Sequence, residues 1–173
     1  MFSIIIPTYN NLEYLKLCLK SIEKNSKFNH EIIIHINEGN DGTLEYIKSH
    51  NYKKSYSEKN AGVCVGFNKA TTLASQKYIV LAYDDMYFCP NWDVVFVDEI
   101  KNYHEKKDFF ISGTMVQPFK SYLEFDCGKT LEDFNEEKLL KNVNQLKFGD
   151  FQGTHWQPSL IPKSTWDKVG GFS

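Results

Sequence analysis

Short apolar runs alternate along the chain with stretches of helical periodicity. Phe2 to Ile6 is an apolar run stopped by Pro7, which predicts a strand buried on both faces. Leu12, Leu15, Leu19 and Ile22 then recur at helical spacing, with Glu13, Lys16, Lys20 and Glu23 on the opposite face. Glu31 to Ile36 predicts a second strand, and Asp41-Gly42-Thr43 opens a helix that reaches Ser49. Lys53 to Ser57 is a weaker strand, Val63 to Ala74 a third helix, and Tyr78 to Ala82 a fourth strand followed at once by Asp84-Asp85. Strand and helix in strict alternation imply parallel pairing through crossovers. The fold class is therefore α/β, a mostly parallel central sheet flanked by helices.

The pattern is looser after Asp85. It predicts a helix over Trp92 to His104, a strand over Phe109 to Ser112 and a charged surface helix over Thr130 to Asn142. Phe151 to Ile161 reads as irregular or extended, and Ser164 to Val169 as a short helix closed by Gly170-Gly171. Ser164 and Asp167 have the spacing of a capping pair, and a glycine past the last turn supplies a left-handed stop. The 173 residues fit a single domain, 1–173, with 42% hydrophobic residues to fill a core.

Composition narrows the chemistry. The net charge is −2 and no basic run offers an electrostatic footprint for nucleic acid. All 20 basic residues are lysines, so no guanidinium fork can grip a phosphate bidentately. Phosphate chemistry must then use lysine, backbone N–H groups or a metal. The four cysteines lie far apart without a C-x-x-C pair, which argues against a metal cluster and leaves two disulfides as the alternative to free thiols. With Cys18 inside an amphipathic helix and no secretory leader pattern at the N-terminus, the expectation is a reduced, cytoplasmic protein. No apolar stretch approaches the roughly 20 residues of a membrane span, so any membrane contact is expected to be peripheral, at the membrane surface.

Ligands of open α/β sheets bind beyond the carboxyl ends of the strands. There the chain reads Pro7-Thr8-Tyr9-Asn10, Asn37-Glu38-Gly39-Asn40-Asp41, Asn60-Ala61-Gly62 and Tyr83-Asp84-Asp85, four polar clusters bound for one edge. Two adjacent carboxylates at the mouth of a dry sheet repel, and a hard cation such as Mg²⁺ or Mn²⁺ shared with phosphate oxygens would answer that repulsion. The plainer reading makes one of them a helix cap. Asp41 has a strong reading as a cap. Asn37 and Glu38 lie closer to the strand end, where they either contact a base or ribose or hold the loop. Asn60, Gly62 and Asn68 suggest a turn with close backbone approach, or plain turn punctuation. His155 is a candidate metal ligand or a structural hydrogen-bonding histidine. Trp92 and Trp156 either stack on sugar rings on the acceptor side or belong to the core.

In this order the clusters resemble the nucleotide-diphospho-sugar glycosyltransferases of family 2. The resemblance rests on the strand with Pro7-Thr8-Tyr9-Asn10, the Asp41-Gly42-Thr43 turn, Asn60-x-Gly62 with Asn68, Tyr78 to Asp85 where that family carries Asp-x-Asp, and Gly170-Gly171-Phe172. It implies the GT-A fold, a Rossmann-like sheet with a nucleotide-sugar-binding half at 1–90 and an acceptor-side half at 91–173. It also implies metal-dependent, inverting transfer of a sugar from a UDP- or GDP-linked donor to a hydroxyl of a glycan, lipid-linked glycan or protein glycan, as in polysaccharide biosynthesis. Pro7, Thr8 and Tyr9 would line the nucleotide pocket, Asn37 would face the base, Asp84 would touch ribose or sugar, and Asp85 would hold Mn²⁺ or Mg²⁺. Asn37 stands where the family usually has aspartate, with Glu38 as the substitute, and Tyr83 fills the first position of the acidic triplet. Lys69 and Lys163 are either solvated surface lysines or candidates to assist the departing diphosphate. The family's catalytic base follows the Gly-Gly-Phe landmark, so the base is expected beyond Ser173 and the chain is expected to be a fragment; Asp150 and His155 are the alternatives within it.

Two other readings compete. A nucleotidyltransferase would carry a glycine-rich loop with a basic residue after the first strand, which Pro7 to Asn11 does not supply. A catalytically silent nucleotide-sugar-binding or interaction module would keep the fold without the chemistry.

Overall fold

A computed structural model describes residues 1–103, 105–119, 123–146, 149 and 157–173. The elements are β1 (Ser3–Tyr9), α1 (Leu12–Asn25), β2 (Glu31–Asn37), α2 (Thr43–Ser49), β3 (Lys53–Ser57), α3 (Val63–Thr71), β4 (Tyr78–Leu81), α4 (Trp92–Asn102), β5 (Ile111–Ser112), β6 (Val116–Gln117), β7 (Leu123–Glu124), α5 (Glu136–Asn142), β8 (Ser159–Pro162) and α6 (Lys163–Val169). The main sheet has six strands in the order β3-β2-β1-β4-β8-β5. The first four are parallel, and β8 runs antiparallel to both β4 and β5. The mostly parallel α/β sheet expected from the alternation is what forms.

Period-two alternation in the central strands loads both faces. Ile4, Ile6, Ile34, Ile36 and Val80 meet Leu15, Cys18, Leu19 and Ile22 of α1 on one side. Ile5, Ile33, Ile79 and Leu81 meet Phe67 and Ala70 of α3 and Trp166 of α6 on the other. Gly66 lets α3 settle onto the sheet, since a Cβ there would lie 2.9 Å from both His35 Cδ2 and Pro7 Cβ. All four cysteines are free thiols. Among the described residues no helix is long and apolar enough to cross a membrane.

Several boundaries differ from the sequence reading. β1 continues through Pro7 to Tyr9. Ile5 accepts a bond from Ala82 N on the β4 side, so Pro7, two residues on, turns its missing N–H to that same side just past the end of the β1–β4 pairing. α3 stops at Thr71 rather than Ala74, because the hydroxyls of Thr71 and Thr72 bond back to the carbonyls of Phe67, Asn68 and Lys69. α5 starts only at Glu136, where Asn135 accepts from Lys138 N and caps it. Ser164 does not cap α6: the helix begins at Lys163 behind Pro162 without a side-chain cap, and Asp167 pairs instead with Lys163 at 2.8 Å. Gly170 does provide the left-handed stop, at φ +82°. The end of the stretch read as irregular or extended is extended, and forms β8, an internal strand of the sheet.

Candidate active site

In-register pairing places Tyr9, Asn37 and Ser57 level with one another at the carboxyl ends of β1, β2 and β3. β4 pairs with β1 up to Leu81 opposite Ile5, and the chain beyond it turns over the same edge. Thr8, 2% exposed, donates from Oγ1 to Asp84 Oδ2 at 2.6 Å and so locks the first cluster to the fourth. Burial pushes the Asp84 carboxyl up; the bonds from Thr8 and Asn11 oppose this, the charge of Asp85 adds to it, and the net direction is upward. Asp85 is exposed beside it. Beneath the pair, the buried Cys18 thiol lies 3.6 Å from Tyr83 O and is pushed up by burial and by both carboxylates, which keeps it protonated.

The loops that carry the other clusters are tied to one another. Asn10, at φ +45°, accepts from the backbone N–H groups of Gly39 and Asn40 at 3.0 and 2.8 Å. Glu38, at φ +60°, accepts from Asn60 N, while Asn37 accepts from Ala61 N and Asn60 accepts from Gly62 N. The non-glycine left-handed conformations at Asn10 and Glu38 are strained, and the interlocked loops hold them. Asp41 acts as a cap. It accepts from Leu12 N at the start of α1 and from Thr43 N and Oγ1 at the start of α2; burial resists ionisation, but these bonds hold its carboxyl below the usual range.

Pro7, Thr8, Tyr9, Asn37, Glu38, Asn60, Gly62, Tyr83, Asp84 and Asp85 thus share one edge. A Cβ placed on Gly62, at φ +86°, would meet nothing within 4 Å, so its positive φ rather than close packing calls for glycine. Tyr83 is 41% exposed with its ring 6.0 Å from that of Phe67. Asn68 departs from the group. It donates to Phe172 O at 2.7 Å and accepts from Phe172 N at 2.9 Å, a two-way clamp on the Gly-Gly-Phe segment that engages both ends of its amide. Trp92 lies in the core: its ring packs on Phe88 and His30 at 4.7 and 5.1 Å, and its indole N–H donates to Ser26. Lys163 sits at the other edge, beside Lys77 before β4, and pairs with Asp167. His155 and Trp156, like Asp150, lie outside the described residues.

A polar network beneath the edge was not singled out from the sequence. His35 is fully buried between Ser55, at 2.8 Å from Nδ1, and Ser57, at 3.3 Å from Nε2, while Lys69 donates to Ser57 at 2.8 Å. Burial lowers the His35 pKa against a hydrogen bond with Asn37, and Lys69 lowers it further, so the ring is neutral at pH 7. The available signal was a lone polar residue inside the run Ile32 to Ile36, two positions before Asn37 and so on its face.

Among the described residues no three His, Cys, Asp or Glu side chains gather as a preformed metal site. What the edge offers is two adjacent hard carboxylate donors, one engaged by Thr8 and one exposed. That donor set fits Mg²⁺ or Mn²⁺, which take one or two carboxylates and complete their shell with water and phosphate oxygens.

Residues 3–155 match the family described as Glycosyl transferase family 2, and the chain belongs to that family. Two relatives are uncharacterized glycosyltransferases: MG025 of Mycoplasma genitalium, 34% identical over 85% of this chain and 49% of its own length, and RP339 of Rickettsia prowazekii, 30% identical over 99% and 53%. The chain therefore spans about half the length of these relatives. Among solved structures it is similar to S. aureus TarS 1-349 in complex with UDP-GlcNAc, with a TM-score of 0.66 and 17% identity over 97% of this chain and 47% of that one. It is also similar to the mannosyltransferase PcManGT of Pyrobaculum calidifontis in complex with GDP-Man and Mn²⁺, with a TM-score of 0.65 and 16% identity over 99% and 47%. At these identities the structural likeness establishes the fold.

Proposed function

We propose that this chain carries the donor site of an inverting glycosyltransferase that moves a sugar from a UDP- or GDP-linked donor to a hydroxyl of a glycan, lipid-linked glycan or protein glycan. The observation that carries the reading is the Thr8–Asp84 bond, which fixes one carboxylate of an adjacent pair and leaves Asp85 exposed where the sheet edge opens. Family membership and neighbours holding UDP-GlcNAc and GDP-Man support it. It also accounts for the arrangement as an aspartate pair made for shared coordination with phosphate.

In this reading residues 1–90 hold the nucleotide and residues 91–173 contribute the acceptor side. Pro7, Thr8 and Tyr9 floor the nucleotide pocket. Asn37, 2% exposed and bonded to Ala61 N, holds the loop rather than facing a ligand, and Glu38 and Asn60, bound into the same loop system, present a rigid rim to base and ribose, so little ordering is required on binding. Asp84 is positioned by Thr8 and Asn11 toward ribose or sugar, and Asp85 is the residue that would hold Mn²⁺ or Mg²⁺ against the diphosphate. That cation, when bound, supplies Lewis-acid stabilisation of the departing nucleoside diphosphate, a task no arginine in this chain can take. Lys69 is held by Ser57 beside the same edge and adds positive potential there.

Thermal denaturation with UDP, GDP and their sugars, in Mn²⁺ or in chelator, tests the reading. A nucleotide at 100 times its Kd should stabilise the fold by about 2.7 kcal/mol. The stabilisation is expected to need the cation and to vanish in Asp85→Ala. No response to any nucleotide, or an equal response in Asp85→Ala, overturns it.

A further inference from the structure

At the same sheet edge one buried polar group has no partner. Gln157 is 7% exposed, and its Oε1 accepts no hydrogen bond, alone in this among the buried side-chain atoms of the described residues. A carbonyl oxygen held out of water without a donor is a standing cost to the fold, and such groups in native chains call for an explanation such as a ligand that completes them.

The sheet determines where Gln157 stands. β8 runs antiparallel to β4 with Ser159 opposite Leu81, so the start of β8 and the end of β4 lie at the same edge of the sheet. Gln157, two residues before Ser159, therefore stands at the edge where the chain leaves β4 for Tyr83-Asp84-Asp85. The segment is pinned on its other side, where Gly113 N donates to Pro158 O at 2.7 Å. In the strand order β3-β2-β1-β4-β8, the rim formed by Glu38 and Asn60 lies to one side of the Asp84-Asp85 pair and Gln157 to the other. An extended nucleotide sugar with its base at that rim and its diphosphate at the aspartates places its sugar at β8.

We infer that Gln157 is a specificity residue for the donor sugar, its carboxamide oxygen accepting a hydrogen bond from one hydroxyl of the transferred ring. The inference rests on the donor-site reading above. A site built to bond a hydroxyl rejects the analogue that lacks it, because the buried acceptor is then left unpaired.

The test compares wild type with Gln157→Met, which keeps the length of the side chain and removes its oxygen. Calorimetry with Mn²⁺ measures UDP and GDP alone and then UDP-glucose, UDP-GlcNAc and GDP-mannose. The variant should bind the nucleoside diphosphate as wild type does and lose roughly tenfold in affinity for the preferred nucleotide sugar. Its ligand-free thermal midpoint should not fall, since an unpaired acceptor has been replaced by an apolar group. Deoxy analogues of the preferred sugar, tested on wild type, should show one position whose loss costs the same factor, and Gln157→Met should be indifferent to that position. Equal losses for nucleotide and nucleotide sugar, or no loss at all, overturn the assignment and leave the donor site standing. Wild type that binds no nucleotide overturns both. Should Gln157→Met fail to fold, a deoxy series that wild type binds uniformly is sufficient to reject the role of Gln157.

Discussion

Replacing Thr8 by valine removes one hydroxyl and keeps the shape of the side chain, so the perturbation falls on a single bond. That bond is the 2.6 Å contact from Thr8 Oγ1 to Asp84 Oδ2, made by a threonine with 2% exposure. Asp84 already has its carboxyl pushed up by burial, with Thr8 among the groups that oppose the shift. Without the hydroxyl, burial and the charge of Asp85 act with less opposition, and a smaller fraction of molecules carries an oriented carboxylate at a given pH. Hydrogen bonds to charged groups contribute about 1.5–3 kcal/mol, and the lower end applies because Asp84 is partly exposed and water can replace the hydroxyl. About 1.5 kcal/mol corresponds to roughly tenfold weaker binding of the nucleotide sugar with Mn²⁺, measured by calorimetry at pH 7. The sign of the pH dependence follows from the direction of the shift: a carboxyl pushed further up is the first to lose its charge as pH falls, so the gap to wild type should widen as the pH is lowered from 7 toward 5. Thr8→Ser retains the donor and should bind as wild type does. Equal binding by wild type and Thr8→Val across that range, or an equal deficit in Thr8→Ser, would refute the reasoning.

Other perturbations separate site from scaffold. Asp93 is fully buried and accepts from Lys27 N, Phe28 N and His30 Nε2 at 2.8, 2.9 and 3.0 Å, so Asp93→Ala should cost about 3–4 kcal/mol in urea denaturation; a loss below 1 kcal/mol would contradict the count of orphaned donors. Gly66→Ala, normally a gain inside a helix, should instead lose about 1–3 kcal/mol because the new Cβ meets two buried strand side chains, and a raised melting temperature would disprove the close approach of α3. Asn68→Ala should lower stability by about 1–2 kcal/mol with nucleotide affinity unchanged, as expected of a clamp on Phe172. His30 and His35 both have their pKa values lowered, chiefly by burial, so the unfolded chain takes up protons first. Their contribution is present above about pH 6.5 and falls as the medium acidifies toward their folded values, by up to about 1.4 kcal/mol per pH unit for each histidine. Denaturation midpoints that do not drop between pH 7.5 and 5.5 would reject this.

Much of the scaffold was readable from local patterns. Ile4 to Ile6, Ile32 to Ile34 and Ile79 to Leu81 are apolar because each strand is covered on both faces, and burial of that kind leaves its mark on consecutive residues. The polar clusters of the site were readable for a related reason, since each directly follows such a run and parallel strands deliver their carboxyl ends to one edge. Asp41 was readable as a cap because the chemistry of a helix start is local. Trp92 and Asn68 were not. An indole at a helix start and an amide on a helix flank look the same whether they face a ligand or the interior, and only Phe2, His30 and Phe172, brought in from elsewhere in the chain, decide which.

By itself the sequence determined the α/β alternation, the family and the four segments that meet at the edge, because periodicity and strand-end chemistry act over a few residues. The tertiary structure alone decided which polar groups find partners. Thr8 reaches Asp84 across 76 positions, His35 is enclosed by two serines of the neighbouring strand, and β8 enters the sheet antiparallel beside β4, carrying Gln157 to the edge where β4 ends. Pairings of that kind depend on which distant strands become neighbours, and a hydroxyl or an amide carries no mark in sequence of the partner that packing will bring to it.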